Sequence, residues 1–407
     1  MILIGKPVWW LPIDVFYIET IRLTRGRRDG FFVDFCFDWS ILWVGNDDIL
    51  EDNAMKTLEE ARRDFSFLKD HIYLDSATTG LSWDGQEEAM AGFFREAKRM
   101  GYVGSSVWGA KEQKVKERLA KLWNVKPSEI YFYSSTTEFV NLLAHSLKIE
   151  EAQTVVMAQG EYPAIVKPWQ FLVNQGVGLV VTDASCEEQR DQALIDGIDE
   201  RTKLAVVSHV QYTTGTKADL TRLGKACHEK GALLLVDGTQ AFGAVDTDLR
   251  EVDFYVASTF KWSMGVFGLG VAMIKEEALR HLAPAFSGYG GAKMQYNTPN
   301  YPGLWALDGA LDYFEEIGWD VIYEQIAELS EYLMDGLEKL KIDVLTPKDA
   351  RAGIVSFQHE NGARIEKQMA ERGIYFAYRD GFVRIAPHFY NTREDVDLML
   401  RALKEMI

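Results

Sequence analysis

The polar residues with the clearest chemical potential follow two short apolar runs, residues 233–236 and 254–257. Asp237 comes directly after the first run, and Ser258 and Lys261 come after the second run. Apolar runs of this length are typical of buried parallel strands, and the carboxyl ends of such strands form the ligand-binding edge of an open α/β sheet. We therefore expect a carboxylate, a hydroxyl and an amine to meet at one edge of a sheet.

This set of functional groups suits pyridoxal 5'-phosphate (PLP), a cofactor that proteins hold through a Schiff base with a lysine. Lys261 would supply the amine, Asp237 would keep the pyridinium nitrogen protonated, and Gln240 would bond to the phenolic oxygen. Ser258 would bind the phosphate. The competing interpretation is structural, with Lys261 as a solvated surface lysine, Asp237 as the cap of a turn and Gln240 as a solvated amide.

A hydroxyl-rich turn between a predicted strand and a predicted helix offers a site for the phosphate. Ser135, Thr136 and Thr137 follow the aromatic run at residues 131–133 and precede an apolar helical pattern. Free amide groups at a helix N-terminus bind phosphate together with such hydroxyls. We assign Thr136, Thr137 and Ser258 to the phosphate, with Ser135 in the same cradle.

Further short motifs follow one another along the chain, at residues 160–163 (GEYP), 208–210 (SHV), 265–270 (GVFGLG) and 383–388 (VRIAPH). Together with Asp-Gly-x-Gln at 237–240 and Ser-x-x-Lys at 258–261, they resemble the class V aminotransferase family, which includes cysteine desulfurases and isopenicillin N epimerase. The resemblance runs from about Phe65 to the C-terminus. It implies an α/β protein of fold type I: a large domain whose mostly parallel seven-stranded sheet is flanked by helices, and a small C-terminal α/β domain. It also implies a homodimer with shared active sites.

The resemblance implies further roles around the cofactor ring. Tyr162 stands where desulfurases have a histidine stacked on one face, and Thr239 stands where the family has a small residue against the other. Tyr212 or Gln211 takes the place of an asparagine that contacts the ring oxygen. His209 is placed near the ring or the substrate, although a structural role is an equal alternative for a lone histidine. The candidate catalytic residues are Lys261, Asp237, Tyr162 and His209.

The substrate is expected to be a small amino acid or amine. Arg384, in the family's C-terminal arginine motif, is the candidate for its α-carboxylate, because a guanidinium group matches a carboxylate bidentately. Arg379 is a second candidate, and a surface salt bridge is the structural alternative for either. Ala77 and Thr78 belong to a small-residue loop that resembles the family's motif at the mouth of the active site, so we expect them to contact the substrate.

Three features depart from the family pattern. Phe260 replaces a histidine that helps to hold the phosphate in the family. Asn297 replaces the glycine before Thr298, whose counterpart in the family reaches the phosphate in the partner subunit. Desulfurases carry a nucleophilic cysteine on a loop between the two arginine motifs, whereas residues 378–382 form a short connection without a cysteine. Persulfide chemistry at such a cysteine is therefore not expected.

The residues leave the reaction open after its first steps. Lys261 would be displaced by the substrate amine and would then take the α proton as a general base. We rank an aminotransferase first because of its frequency in the family, and a lyase that needs no cysteine or an amino-acid epimerase second. A PLP-fold binding protein without catalysis, suggested by Phe260 and Tyr212, is a third hypothesis. A nicotinamide dehydrogenase is disfavoured, because the glycine run after Lys261 lacks the strand–turn–helix context of a dinucleotide fingerprint.

Composition favours a soluble enzyme over other classes. The chain has 407 residues, of which 47% are hydrophobic, enough for large cores. A net charge of −17 argues against a nucleic-acid surface, which needs a basic stripe. The three cysteines, Cys36, Cys186 and Cys227, lie far apart without CxxC spacing, so we expect neither a metal site nor a disulfide framework. A cytoplasmic location is the expectation.

The first 54 residues differ from the rest, with four of the chain's 11 tryptophans and a basic cluster at 25–28. Charged residues interrupt their apolar runs, so no membrane span is expected. The basic cluster follows the first apolar run and does not precede it, so no secretory signal is expected either. The segment is either an extension packed on the enzyme or an artefact of an upstream start, with Met55 as the biological start.

The remaining chain is expected to form three parts. Residues 55–74 would hold an N-terminal helix packed with the small domain, residues 75–295 the large PLP-binding domain, and residues 296–407 the small domain. In the large domain, strand-like runs alternate with helical stretches, which predicts a mostly parallel sheet with right-handed crossovers.

Overall fold

The computed structural model describes residues 55–288 and 291–407. Both interpretations of residues 1–54 therefore lie outside the described residues. The α-helices are α1 (Leu58–Arg63), α2 (Gln86–Met100), α3 (Ser105–Trp123), α4 (Thr136–Ser146), α5 (Pro163–Val166), α6 (Arg190–Asp196), α7 (Leu220–Glu229), α8 (Tyr301–Ile317), α9 (Trp319–Lys339), α10 (Gly362–Ala370) and α11 (Arg393–Lys404). Among these described helices, none combines the length and the apolar character that crossing a bilayer requires.

Short strands alternate with these helices along the chain. The strands are β1 (Ile72–Tyr73), β2 (Ile130–Tyr133), β3 (Thr154–Ala158), β4 (Gly178–Thr182), β5 (Thr202–Ser208), β6 (Leu233–Asp237), β7 (Phe254–Ser258), β8 (Gly270–Ile274), β9 (Ser287–Gly288), β10 (Gly291–Ala292), β11 (Val355–Gln358), β12 (Ile374–Tyr375), β13 (Ala377–Arg379) and β14 (Phe382–Ile385). Segments of 3₁₀-helix occur at Ser66–Lys69, Gly101–Gly104, Pro127–Glu129, Lys167–Gln175, Glu187–Gln189 and Glu276–His281.

A seven-stranded sheet forms the centre of the larger part, in the order β2-β8-β7-β6-β5-β3-β4. Strands β7, β6, β5, β3 and β4 run parallel to one another, and β8 is antiparallel to both of its neighbours, β2 and β7. The connection between β7 and β8, residues 259–269, is too short for the crossover that a parallel pair needs. The predicted α/β fold with a mostly parallel seven-stranded sheet is confirmed.

Hydrophobic cores cover both faces of this sheet. On one face, strand residues pack against α3, α6, α7 and α8, and Trp123 of α3 is fully buried there. On the other face, the alternate strand residues pack against α4 and the 3₁₀ segment that carries Trp169. Strands β3, β6, β7 and β8 are buried along their whole length, as expected for strands with helices on both faces. Polar side chains at the ends of such buried strands are costly unless they have hydrogen-bond partners or bind a ligand.

The C-terminal part contains a three-stranded antiparallel sheet, β11-β14-β13, which packs on α9, α10 and α11. The segment before the large sheet contacts this part: β1 pairs in parallel with β12, and Arg62 of α1 donates to Asp395 of α11. Helix α8, which the expected boundary at residue 296 assigns to the small domain, packs against α2 and α3 instead. The domain boundaries given above remain predictions.

Candidate active site

The structure brings most of the polar residues singled out from the sequence together around one cavity. This cavity has a volume of about 180 Å³ and lies at the carboxyl ends of the central strands. The assigned residues in its lining are Ser135, Thr136, Thr137, Tyr162, Tyr212, Asp237, Thr239, Gln240, Ser258 and Lys261. Ala164, Ser208, Val210 and Phe260 also line it, and none of these four was assigned a contact from the sequence.

Three hydroxyl groups form a cluster at the start of α4. Thr136 Oγ1 lies 3.0 Å from Ser258 Oγ and 3.1 Å from Thr239 Oγ1, which also accepts from the Ser258 amide. Ser135 is the N-cap of α4, and its hydroxyl accepts from the Glu138 amide at 3.1 Å. The first amide groups of a helix have no intrahelical acceptor, so this end of the cavity suits a phosphate.

Asp237 is a buried carboxylate at the end of β6, and it is 5% exposed. Burial raises its pKa, while the Thr239 amide, which donates to Oδ1 at 2.9 Å, and the charge of Lys261 act in the opposite direction. A buried carboxylate is costly unless a cationic group compensates it. A protonated pyridine nitrogen is such a group. The donor set of this cavity therefore fits PLP, with a phosphate cradle at one end and a carboxylate for the ring nitrogen.

Lys261 has the properties of a reactive amine. Its Nζ lies 6.0 Å from the centroid of the Tyr162 ring and 5.9 Å from that of the Phe260 ring. Burial lowers the pKa of Lys261 most and the positive charge of Arg384 lowers it further, from 10.5 to about 7, although the charge of Asp237 partly opposes this change. A substantial fraction of the amine is therefore neutral near pH 7, as a nucleophile or a general base requires. The structure does not support the alternative of a solvated surface lysine.

We expect the protein freed of cofactor to capture PLP at a rate that rises with pH and levels off above about 7. The lowered pKa of Lys261 means that the reactive neutral amine is present above pH 7 and is lost as the pH falls below it. The growth of visible absorbance after mixing with PLP, followed over a pH series, measures this rate. A rate that keeps rising towards the pKa of an ordinary lysine would contradict the expectation.

Arg384 is completely buried on β14 and is tied to two loops. Its Nη1 donates to the carbonyl oxygen of Tyr212 at 2.9 Å, and its Nη2 donates to Thr78 Oγ1 at 2.6 Å and lies 3.4 Å from Asp75 Oδ1. Its Nε is buried and has no hydrogen-bond partner among the residues that the structure describes. Because the guanidinium is buried, the alternative of a surface salt bridge does not apply to Arg384.

Other assigned residues lie beside the cavity or away from it. Ala77 is buried and Thr78 bonds to Arg384, whereas Arg379 and Thr298 are exposed, and none of these four belongs to the cavity lining. His209 is buried outside the lining, and burial lowers its pKa to about 3. Because His209 does not line the cavity, no described contact supports a role near the cofactor ring, and both alternatives for His209 remain predictions.

Residues 72–399 match the family model described as aminotransferase class-V. The chain belongs to this family. A probable cysteine desulfurase of Methanothermobacter thermautotrophicus is 29% identical over 402 residues, covering 86% of this chain and 98% of that protein. One of Pyrococcus abyssi is 27% identical and covers 87% and 98%, respectively. The structure of the cysteine desulfurase of Thermococcus onnurineus superposes with a TM-score of 0.79 at 25% identity, covering 87% of this chain and 99% of that one.

Class V enzymes of this fold use PLP, so the cofactor inferred from the residues is confirmed. A structure of C-DES, described with glycine covalently linked to its PLP cofactor, has a TM-score of 0.79 at 22% identity and covers 84% of this chain and 99% of its own. In this chain Lys261, Asp237 and the hydroxyl cluster would hold PLP. The assignment of each individual residue remains a prediction.

The chain differs from the desulfurase pattern between its two arginines. Strands β13 and β14 are joined by only Asp380 and Gly381, with φ angles of 53° and 91°. Positive φ at both central residues is typical of the tight two-residue hairpin turn, which leaves no loop that can carry a cysteine. Cys227 is buried in α7, where burial raises its thiol pKa to about 12, and Cys186 is exposed. Of these two described cysteines, neither lines the cavity.

A buried ion pair behind Tyr162 was not recognised from the sequence. Glu161 pairs with Arg190 of α6 and accepts hydrogen bonds from the amide nitrogen of Ser208, at 2.9 Å, and from its hydroxyl. Glu161 and Arg190 are both almost fully buried. Because Tyr162 follows Glu161 directly, this pair fixes the loop that carries Tyr162 to the end of β5. The only signal in the sequence was a charged residue inside the motif at 160–163.

Replacing Glu161 with glutamine is expected to lower the free energy of unfolding by about 3–5 kcal/mol, because Arg190 would keep a buried charge without a partner. Urea unfolding followed by circular dichroism measures the change. Glu200→Gln is the matched control, since Glu200 pairs with Lys230 on the surface, and little change is expected there. Equal effects of the two substitutions would contradict a special role for the buried pair.

Proposed function

We propose that this protein is a PLP-dependent lyase that removes a β-substituent, such as a sulfur group, from a small amino acid without using a cysteine. The observation that carries the proposal is the two-residue turn at Asp380 and Gly381, which excludes a loop cysteine from the desulfurase position. The names of the relatives favour a sulfur-containing amino acid as the substrate. The aminotransferase interpretation rested on frequency in the family, and no described contact favours it over elimination.

The residues of the cavity support the first step, removal of the α proton. PLP, when bound, supplies an electron sink for the negative charge left on the α-carbon. Asp237 would keep a proton on the ring nitrogen, which strengthens that sink. The Lys261 amine, with its pKa near 7, would accept the α proton as a general base.

Arg384 supports the binding of an α-carboxylate. Its Nη atoms are fixed by Thr78 and Tyr212, and its buried Nε lacks a partner among the described residues. A buried donor without an acceptor is costly, and a carboxylate oxygen of the substrate would satisfy it.

Elimination then needs no further nucleophile from the protein. The β-substituent would leave with the electron pair of its bond to the β-carbon and would take the proton that Lys261 had accepted. The Lys261 amine, neutral again, would then displace the unsaturated amino acid. Water converts this product into a keto acid and ammonia. The balance is one amino acid and one water consumed, and one leaving group, one keto acid and one ammonia formed.

A homodimer with shared active sites also belongs to the proposal. Phe267, which is 65% exposed, stacks at 4.3 Å on Phe260 in the cavity lining, so an exposed aromatic ring stands next to the site. Thr298 is exposed as well, where a partner subunit can meet it. Sedimentation equilibrium of the holoenzyme tests the assembly, and a monomer at micromolar concentrations would contradict it. A location in the cytoplasm remains a prediction.

The reaction is tested by supplying the holoenzyme with two groups of amino acids. The first group carries a β-leaving group (cysteine, cystine, S-alkylcysteines and β-chloroalanine), and the second carries none (alanine and glutamate). The proposal predicts pyruvate and ammonia in equal amounts from the first group only, with the visible absorbance of the lysine-bound cofactor retained. Arg384→Gln should raise KM more than it lowers kcat.

Other outcomes would replace the proposal. A keto acid without ammonia, together with loss of the visible absorbance, would identify an aminotransferase. Exchange of the α hydrogen with solvent and no keto acid would identify an epimerase. A wild-type protein that binds PLP but reacts with neither group would favour the binding-protein hypothesis.

A further inference from the structure

Trp262, the residue after Lys261, is completely buried, and its indole contacts the side chain of Gln240. The Trp262 Nε1–H donates to Gln240 Oε1 at 2.7 Å, and Gln240 Nε2 donates to the carbonyl oxygen of Ala77 at 2.9 Å. An indole N–H is only a donor and a carbonyl oxygen is only an acceptor. The amide of Gln240 therefore has one allowed orientation, with its oxygen towards Trp262 and its NH₂ group towards Ala77.

This orientation decides what Gln240 offers to a ligand. Gln240 lines the cavity, and neither Trp262 nor Ala77 engages the second N–H of its NH₂ group, which is the donor that this orientation leaves for a ligand. A glutamine amide without such partners can turn by half a rotation and present either an acceptor or a donor. We propose that Trp262 is a positioning residue, which fixes the amide of Gln240 so that it presents an N–H donor to the ring oxygen of PLP.

Trp262 is itself held in place through its backbone and its indole ring. His388 Nδ1 accepts from the Phe389 amide at 2.8 Å, so its Nε2 carries the hydrogen that is donated to the Trp262 carbonyl oxygen, also at 2.8 Å. A Cβ atom on Gly353 would come within 2.4 Å of the indole ring, and one on Gly243 within 2.6 Å of the Trp262 backbone. The indole thus has little room to move away from Gln240.

The contact has a spectroscopic consequence. A hydrogen bond donated to the ring oxygen stabilises its negative charge, and so favours loss of the proton that this oxygen shares with the nitrogen joined to Lys261. The visible absorbance of the lysine-bound cofactor should therefore change with pH at a lower midpoint than it would without the donor. This inference rests on PLP binding through Lys261 and not on the reaction proposed above.

The test is a pH titration of the visible absorbance of the holoenzyme without substrate, in the wild type, Trp262→Phe, Gln240→Ala and the double variant. Each single substitution is expected to raise the midpoint by about one unit or more. The double variant should have the midpoint of Gln240→Ala alone, because Trp262 acts through Gln240. Trp169→Phe is the matched control: it also removes a buried indole donor, here bonded to Ile165, and should leave the midpoint unchanged.

Two results would overturn the proposal. An unchanged midpoint in Trp262→Phe would show that the amide keeps its orientation unaided. A further rise in the double variant beyond that of Gln240→Ala would mean that the indole acts by another route. If Trp262→Phe does not fold, Trp262→Met takes its place, because methionine fills irregular core space and has no N–H to donate to Gln240, and its midpoint should also rise. Absence of visible absorbance in the wild type would instead contradict PLP binding itself.

Discussion

Replacement of Lys261 with alanine is expected to lower kcat/KM by at least about 10⁴-fold on any substrate that the amino-acid panel identifies, since general-base catalysis alone contributes about 10²–10⁴-fold. The substitution would also remove the amine that we expect to join the cofactor to the protein. Both expected roles of Lys261, as a general base and as the amine that binds the cofactor, need a neutral amine. Burial and the charge of Arg384 favour that form, because they lower its pKa to about 7. A large loss is expected because no other lysine belongs to the described lining of the cavity.

Steady-state rates and the visible absorbance of the same samples measure this effect. Lys230→Ala is the matched control, because Lys230 pairs with Glu200 on the surface, and wild-type kinetics are expected for it. PLP added to Lys261→Ala should give the spectrum of free aldehyde. A variant that keeps more than about a tenth of the wild-type kcat/KM would remove Lys261 from the mechanism, because that loss is only about 1.4 kcal/mol of transition-state stabilisation.

The second large effect is expected for Asp237→Asn. An opposite charge within about 4–6 Å, such as Asp237 would be for the ring nitrogen, shifts a pKa by about 1–3 units, which corresponds to about 1.4–4 kcal/mol. Loss of the carboxylate should therefore lower kcat by about 10–10³-fold and change KM much less, since Asp237 is assigned to the cofactor ring and not to the substrate carboxylate. Asp246→Asn, in an exposed position nine residues along the chain, is the control.

Stability separates this loss from misfolding. Burial raises the pKa of Asp237, so its charged form destabilises the cofactor-free protein above the ordinary carboxylate pKa. Asparagine removes that charge, and we expect the cofactor-free variant to melt no earlier than the wild type at neutral pH. A strong loss of stability together with the loss of activity would contradict the account, because it would make Asp237 a structural residue.

The site residues at strand ends could be predicted from the sequence for a simple physical reason. A buried parallel strand is a short apolar run, and the polar residues that follow it lie at the binding edge of the sheet. Asp237, Ser258 and Lys261 were placed in this way. The role expected for Arg384 came from the resemblance, and its burial on β14 agrees with that role without testing it.

Contacts between distant parts of the chain could not be obtained in the same way. Glu161 and Arg190 are 29 residues apart, and neither periodicity nor composition links them. The bond from Trp262 to Gln240 depends on the packing of three loops. His209 follows the end of β5, where the pattern cannot tell whether a side chain faces the cavity or the interior, and here it is buried outside the cavity lining.

The central claim is a PLP reaction at Lys261 that needs no cysteine, and a cysteine-free enzyme tests it most directly. Such a variant carries Cys36→Ser, Cys186→Ser and Cys227→Ala, the last with alanine because Cys227 is buried. The measurement is its rate of pyruvate and ammonia formation from the β-substituted amino acids, beside the wild type. The account predicts rates equal within about two-fold, which is less than about 0.5 kcal/mol in transition-state stabilisation. A loss of more than about ten-fold, in a variant that keeps wild-type visible absorbance and melting temperature, would contradict it.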